Sequence, residues 1–253
     1  LDKVFITGVS PLVMSDITSG YNVAKNIYLE PELNDLCGFT AAEVKTTVVQ
    51  LVKDCQLSAE TTSQIVLMMQ TFYNGYRFSR EEATSLVYNP TLALYFWEYF
   101  QTRCRSPGKM LDSNLAMDKN KLVYLASLPQ GTPIIRDALL GTSPLMINEL
   151  SDRFSLTDLL KPNPDRSFMV SLLYYFGVLT LVGQTPLHEL LFTIPNLVIR
   201  QLYVEQLHEL TIPEDYARET NRQVARQFYR TGDLQPVCDL LEHSYFPVFD
   251  NRD

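Results

Sequence analysis

The sequence predicts a mainly α-helical protein with a small β component, in the α+β class. Three observations lead to this prediction. Several segments repeat apolar residues at helical spacing behind clear N-cap residues, one pair of short apolar runs has the pattern of a β-hairpin, and one further apolar run lies near the start. With 253 residues, 46% of them apolar and 20% charged, the chain is long and apolar enough to bury a core.

The first predicted element is a buried strand over residues 4–9, Val-Phe-Ile-Thr-Gly-Val, which ends at the turn-forming pair Ser10-Pro11. One strand cannot form a sheet alone, so we expect its neighbours to come from sequence upstream. The chain is therefore predicted to be a fragment of a longer protein. An unpaired strand edge also favours association, so we expect self-association of the chain.

Three helices are predicted between residues 40 and 105. The first begins with the capping box Thr40 and Glu43, the second begins near Ser58, and the third begins at Asn89-Pro90, with asparagine as the N-cap. The apolar faces are predicted to consist of Val44, Val48, Leu51, Val52 and Cys55 in the first helix, Ile65, Met68, Met69 and Phe72 in the second, and Leu92, Phe96, Tyr99 and Phe100 in the third. Asn74-Gly75 predicts a turn after the second helix.

From residue 122 the pattern changes to short helical segments followed by a hairpin. The predicted elements are a helical segment over 147–160, a very apolar helix over 167–176, a hairpin formed by 178–182 and 189–194, a helix capped by Asn196, and polar helices over 216–229 and 235–242. Helices followed by a hairpin and a further helix are typical of a winged-helix domain.

The charge of the chain bears on its partners. A net charge of −8 and a pI near 5.0 produce a field that repels nucleic acid, so direct binding would need a local basic face. The sequence shows no such face, and we expect nucleic acid to be at most an indirect partner. Because no apolar run approaches the roughly 20 residues that span a bilayer, no membrane partner is predicted.

The four cysteines, Cys37, Cys55, Cys104 and Cys238, lie far apart and form no CxxC pair. They are predicted to be reduced thiols, which places the protein inside the cell, in the cytoplasm or the nucleus. No pair of cysteines or histidines has the close spacing of a zinc site, so no metal-binding residues are predicted.

No motif predicts catalysis by this chain alone. A phosphate-binding loop needs a glycine-rich turn between a strand and a helix, and the one Gly-Lys pair, Gly108-Lys109, is followed by methionine and lacks the other glycine. The histidines His188, His208 and His243 stand apart from any Gly-x-Ser-x-Gly elbow, and their surroundings predict structural roles.

Several spaced motifs together resemble one known family. They are Val4-Phe-Ile-Thr-Gly-Val-Ser-Pro11, Ser19-Gly-Tyr-Asn22, Leu36-Cys-Gly-Phe-Thr40, Tyr73-Asn-Gly-Tyr-Arg-Phe78 and Tyr88-Asn-Pro90, followed by the weaker Tyr174-Tyr-Phe-Gly-Val-Leu-Thr180 and Ile194-Pro-Asn196. In this order they resemble the predicted AAA-ATPase-like family, whose members look like P-loop ATPases fused to a nuclease-like domain of the PD-(D/E)XK type.

The resemblance implies four regions and a cofactor. Residues 1–12 would hold the last strand of a truncated P-loop sheet, 13–105 a helical lid, 106–212 a winged-helix-like domain, and 213–253 a helical arm. The arm would lead to an absent nuclease-like domain. The cofactor would be ATP, with Mg²⁺ in the parent protein, at a site that is incomplete in this chain. The residues implied to contact the nucleotide are Thr7, Gly8, Ser10, Arg77, Asn89 and Pro90.

Each of these residues has a specific implied role. Thr7 would be the polar sensor near the terminal phosphate, with Gly8 and Ser10 in the turn beyond it. Pro90, with Asn89, would pack on adenine, although helix initiation alone explains the pair. Arg77 would reach a phosphate, and its alternative is stacking on a tyrosine.

Three functions are compatible with the sequence. The first is a non-catalytic relay, in which the lid and the winged helix couple the nucleotide state of the missing ATPase half to the nuclease-like domain. The second is direct nucleic-acid binding by the winged helix, although the helix over 167–176 contains no basic residue. The third is a degenerate protein-interaction scaffold that binds no nucleotide.

Overall fold

The structure, a computed structural model, describes residues 27, 29–81, 84–111, 128, 131–140, 143–151, 165–211 and 215–242 of the 253-residue chain. The predicted strand over 4–9 lies outside these residues. So does most of the helical segment predicted over 147–160.

The described part is mostly helical with a small antiparallel sheet, which confirms the predicted mainly α (α+β) class. Its elements are a short 3-10 helix (Pro31–Leu33), α1 (Ala41–Asp54), α2 (Ala59–Tyr73), α3 (Pro90–Arg103), α4 (Gly131–Leu140), β1 (Leu145–Ile147), α5 (Arg166–Tyr175), β2 (Thr180–Gln184), β3 (Leu190–Thr193), α6 (Leu197–Thr211), α7 (Asp215–Thr231) and α8 (Gln235–Leu240). None of these helices is long and apolar enough to cross a membrane.

The chain divides into two compact units, Leu1–Glu205 and Gln206–Asp253. The first contains α1 to α5, the sheet and the beginning of α6. The second contains α7 and α8, which pack against each other. The four regions expected from the family resemblance, 1–12, 13–105, 106–212 and 213–253, stay predictions.

The predicted capping box begins α1. The Thr40 hydroxyl accepts a hydrogen bond from the backbone N–H of Glu43 at 3.3 Å, and the Glu43 carboxylate accepts one from the backbone N–H of Thr40 at 2.8 Å. Two N–H groups that have no partner within the helix are satisfied in this way. The prediction of α1 from this signature is confirmed.

Helices α1, α2 and α3 share one hydrophobic core, as their apolar periodicity predicts. Its buried members are Val44, Val48, Leu51 and Val52 of α1, Ile65, Met69 and Tyr73 of α2, Leu92, Ala93, Phe96 and Phe100 of α3, together with Tyr88 and Val198. Most of the predicted apolar residues are among them, and Cys55, Met68 and Phe72 pack against the same core while partly exposed. The presence of Val198 shows that α6 also contributes to this core.

The sheet has the strand order β1-β3-β2, and both pairs are antiparallel. Strands β2 and β3 form the predicted hairpin, and His188, with φ of +65°, lies in its connection. Strand β1 corrects the sequence analysis, because the helical segment predicted from residue 147 begins where Ile147 instead pairs with Leu190. Residues 148–151 are not helical either.

Helix α5 is buried almost all round. All six residues 169–174 are buried, and the helix packs against α4 and β1. The buried Ser171 hydroxyl donates to the Ser167 carbonyl and accepts from the backbone N–H of Ser151 at 2.9 Å, so its polar group is satisfied. Gly177, with φ of +73°, follows the end of the helix as predicted.

A disulfide joins Cys55 and Cys104, which corrects the prediction that all four cysteines are reduced. The two residues are 49 positions apart in sequence, but each directly follows a helix that packs in the same core, and their Cα atoms are 5.5 Å apart. Cys37 and Cys238 are free and exposed. The predicted intracellular location depends on reduced thiols, and the disulfide between Cys55 and Cys104 does not support it.

Candidate functional site

Three of the predicted site residues, Thr7, Gly8 and Ser10, lie outside the described residues. The other three lie between α2 and the start of α3: Arg77 is on the segment after α2, Asn89 is the N-cap of α3, and Pro90 is its first residue. Tyr76 and Val87 join the segment after α2 to the segment before α3 by a pair of backbone hydrogen bonds of 3.1 and 2.9 Å. The backbone N–H of Asn89 adds a third bond, to the Tyr73 carbonyl, at 3.0 Å.

Arg77 connects this pair of segments to the hairpin. Its backbone N–H donates to the buried Thr180 hydroxyl at 2.8 Å, and its guanidinium donates through Nη1 to the Val182 carbonyl. A further bond runs from Nε to the Thr84 carbonyl at 3.1 Å. Two of these partners lie on β2, more than 100 positions further along the chain. Arg77 therefore fastens the helical part of the first unit to its sheet.

We use the term junction for the contact between residues 74–78 and the part of the first unit that contains α5 and the sheet. The junction also involves close backbone packing. Gly75 has φ of +117°, and a Cβ added there would overlap the Pro195 carbonyl, so the chains approach too closely for any side chain. The Phe78 ring lies against Tyr174 of α5, with 6.4 Å between the ring centroids. Polar, apolar and backbone contacts thus converge in one place.

Asn34, which the sequence analysis did not single out, supports the same loop. It is 3% exposed, its Nδ2 donates to the Ser85 carbonyl at 2.8 Å, and its Oδ1 accepts from the backbone N–H of Phe78 at 2.8 Å. A buried amide with both ends satisfied fixes the backbone on which Arg77 stands. No local signal distinguishes this asparagine, because its partners lie 44 and 51 positions away.

Asn89 and Pro90 have the helix-initiating geometry that the sequence predicts. The Asn89 side-chain oxygen accepts from the backbone N–H of Leu92 at 3.1 Å, and Pro90 is the first residue of α3. The side chains of Arg77 and Asn89 therefore both make hydrogen bonds to backbone groups of the same chain. The roles of these residues toward ATP or Mg²⁺ stay predictions.

The titratable groups near the junction favour a structural role. Tyr73 is buried and donates its hydroxyl proton to the Met110 carbonyl at 2.8 Å, and burial raises the pKa of this phenol. Burial also raises the pKa of Tyr88. Both phenols are neutral at physiological pH, as an ordinary tyrosine is, and the raised pKa values move their ionisation further from that range.

A basic face on α7 is a feature that the sequence analysis missed. Arg222, Arg226 and Arg230 are all exposed and recur every four residues. This local face corrects the expectation that the chain has none. The four-residue spacing within a predicted helix was the available signal, and it was hidden by the chain's overall negative charge.

Comparisons with protein-family models, with curated proteins and with solved structures found no match to this chain. The fold and the junction define a mostly helical protein in which a three-helix part is fastened to a small antiparallel sheet.

Proposed function

We propose that this chain is the lid and winged-helix part of an AAA-ATPase-like protein. In this proposal it relays the nucleotide state of an ATPase part to a nuclease-like output part and catalyses nothing itself. ATP would supply the free energy of binding and hydrolysis in the parent protein. The residues of this chain would transmit the resulting movement.

The order of the elements supports the winged-helix part of the proposal. Within the described residues, α4, β1, α5, β2 and β3 follow one another in the chain, and the strand order is β1-β3-β2. Winged-helix domains have this arrangement of a short first strand, a helix before the hairpin, and a hairpin whose second strand is central.

The burial of α5 favours a clamp over a groove-reading helix. A helix that reads the major groove must present side chains to bases and phosphates. In α5 all six residues 169–174 are buried, and its one basic residue, Arg166, is the first of the helix. The proposal therefore assigns this helix to packing and does not assign it to nucleic acid.

The observation that carries the proposal is the span of Arg77. A relay requires that the lid and the winged helix move together, so the two must be joined by contacts that resist separation. The hydrogen bonds of Arg77 to Thr180 and Val182 support the proposal, because they connect the proposed lid to the proposed winged helix, and Val198 of α6 adds apolar contact with the three-helix core.

The test uses the parent protein that the proposal requires, in which this chain follows its ATPase part. Amide hydrogen exchange at β2 and β3 is measured with and without ATP. We expect ATP to change the exchange at these strands in the wild type. In Arg77→Gln we expect that change to be lost while ATP still raises the unfolding temperature.

The matched control is Arg80→Gln, because Arg80 is an exposed arginine three residues away. It should leave the exchange response unchanged. Two results contradict the proposal: ATP gives no thermal stabilisation of the parent protein, or Arg77→Gln leaves the response at the hairpin intact.

A further inference from the structure

The C-terminal part of α7, residues 220–231, carries a concentrated positive charge. Between residues 220 and 231 every charged side chain is an arginine, at positions 222, 226 and 230, although the whole chain has a net charge of −8. We call these three residues the arginine stripe. Among the described residues none of the three is ion-paired, and all three are exposed.

Helical geometry places the stripe on one face. A step of four residues advances about 40° around the helix and about 6 Å along it, so the three arginines form a slowly turning row about 12 Å long. Tyr229 lies at the edge of the same face and is 87% exposed. Val224 and Phe228 lie on another face, where they are partly buried, as expected for the side on which α7 packs against α8.

Helix stability explains the stripe only in part: Arg230 lies in the last turn of α7, where a cation favours the helix dipole, and Glu219 precedes Arg222 by three residues in the sequence. Like charges four residues apart destabilise an isolated helix. Arg222, Arg226 and Arg230 therefore repel one another along this face, and an anion bound opposite them would relieve that repulsion. Because each guanidinium is exposed, an anion of another molecule can reach all three.

The chemistry of the face favours a phosphate polymer. Guanidinium groups bind phosphates through paired hydrogen bonds, and an interval of about 6 Å is comparable to the separation of neighbouring phosphates along an extended strand. An exposed tyrosine beside a row of cations offers a surface on which a base stacks. An acidic protein surface would use the arginines but would have no comparable need for Tyr229.

We propose that the arginine stripe, with Tyr229, binds single-stranded nucleic acid through its phosphates and through stacking of one base. This site lies on α7 and is independent of the relay proposed above. It places direct contact with nucleic acid outside the winged helix.

The test is fluorescence anisotropy of the full 253-residue chain with a labelled oligodeoxythymidine of about 20 nucleotides, a length that exceeds the footprint of one such surface. Three phosphate contacts to a single strand predict a slope of about −2 for log K against log salt, and thus an affinity loss of about 15-fold between about 50 and 200 mM. The variant Arg222→Gln/Arg226→Gln/Arg230→Gln should bind at least about tenfold more weakly at the lowest salt, with a slope near zero.

The matched control is Arg80→Gln/Arg105→Gln/Arg136→Gln, which removes three exposed arginines elsewhere and changes the net charge equally. It should keep the slope and most of the affinity. Tyr229→Ala should weaken binding about tenfold without altering the slope. Circular dichroism of each variant verifies that its helices remain folded.

Four results overturn the proposal. They are no binding by the wild type at the lowest salt, unchanged binding by the stripe variant, an equal loss in the control variant, and competition by polyglutamate as strong as that by an unlabelled oligonucleotide of equal charge. The last result would assign the stripe to an acidic protein partner.

Discussion

At the scale of single residues, the junction depends on a position that has no side chain. Gly75 adopts a φ of +117°, which L-residues rarely adopt, and its Cα faces the Pro195 carbonyl at a separation that leaves no room for a methyl group. The Asn74 side-chain oxygen accepts from the Gly75 backbone N–H at 2.8 Å and holds this conformation. Gly75 therefore sets the direction of the backbone for the segment that carries Arg77.

We expect Gly75→Ala to lower the free energy of unfolding by about 2 to 4 kcal/mol, because backbone strain and steric overlap add. The measurement is urea unfolding followed by the fluorescence of Trp97, the only tryptophan, which lies in α3 and packs against the shared core. Gly108→Ala is the control, since a Cβ there meets no atom within 4 Å, and it should change stability by less than about 0.5 kcal/mol. Equal effects of the two substitutions would show that the approach to Pro195 is unimportant.

The same scale shows what could be predicted about the site and what could not. The sequence indicated that Arg77 is the one cation among aromatic residues, but it suggested a phosphate or a tyrosine as the partner. Two of the observed partners, the Thr180 hydroxyl and the Val182 carbonyl, lie on β2, 103 and 105 positions away. The third partner is the Thr84 carbonyl. Such partners follow from tertiary packing, which single-sequence patterns do not encode. The cap at Asn89 was predictable because its partner is three residues away.

At the scale of elements, the capping box of α1 makes a prediction that depends on pH. Thr40→Ala removes the side-chain acceptor for the Glu43 N–H, and we expect a loss of about 1 kcal/mol at neutral pH, measured by urea unfolding with Trp97 fluorescence. The control is Thr46→Ala, because Thr46 is exposed in the same helix and its hydroxyl bonds only the Ala42 carbonyl. This control should cause no comparable loss.

The sign of the pH dependence follows from Glu43. Hydrogen bonds from Thr40, chiefly from its backbone N–H and then from its hydroxyl, lower the pKa of the Glu43 carboxyl from its ordinary value of 4.5. A carboxyl with a lower pKa in the folded chain contributes stability above its unfolded pKa and loses it as the pH falls through the folded pKa. The difference between wild type and Thr40→Ala should therefore be full above pH 4.5 and shrink below it. A difference that grew in acid would contradict this assignment.

Elements with local signals were predictable, and those defined by distant pairing were not. The N-caps at Thr40, Asn89 and Asn196 and the apolar spacing behind them predicted α1, α3 and α6. Strand β1 has only three residues and exists because it pairs with β3, about 45 positions later. Three residues are too few to distinguish strand alternation from helical spacing, and the sequence pattern from residue 147 onward predicts a helix.

At the scale of the whole molecule, averages conceal local features. A net charge of −8 describes the chain correctly and still says nothing about residues 220–231 of α7, where every charged side chain is an arginine. In the same way, the absence of a CxxC pair says nothing about Cys55 and Cys104, because a disulfide requires proximity in the fold and not in the sequence. The disulfide became visible only when the helices were placed, whereas the arginine spacing can be read from the sequence once its segment is predicted to be a helix.

The disulfide makes a prediction for the stability of the first unit. It closes a loop that contains all of α2 and α3, with a sequence separation of 49 residues, and the chain-entropy estimate for such a loop is about 4 kcal/mol. We expect a dithiol reductant, or Cys55→Ser/Cys104→Ser, to lower the urea midpoint seen by Trp97 by about 1 to 2 M. Because Cys37 and Cys238 are free, Cys37→Ser/Cys238→Ser should leave the midpoint unchanged and keep its sensitivity to the reductant. A midpoint that the reductant does not shift, in a chain shown by thiol titration to be oxidised beforehand, would mean that packing of α1 against α3 holds these helix ends together without the bond.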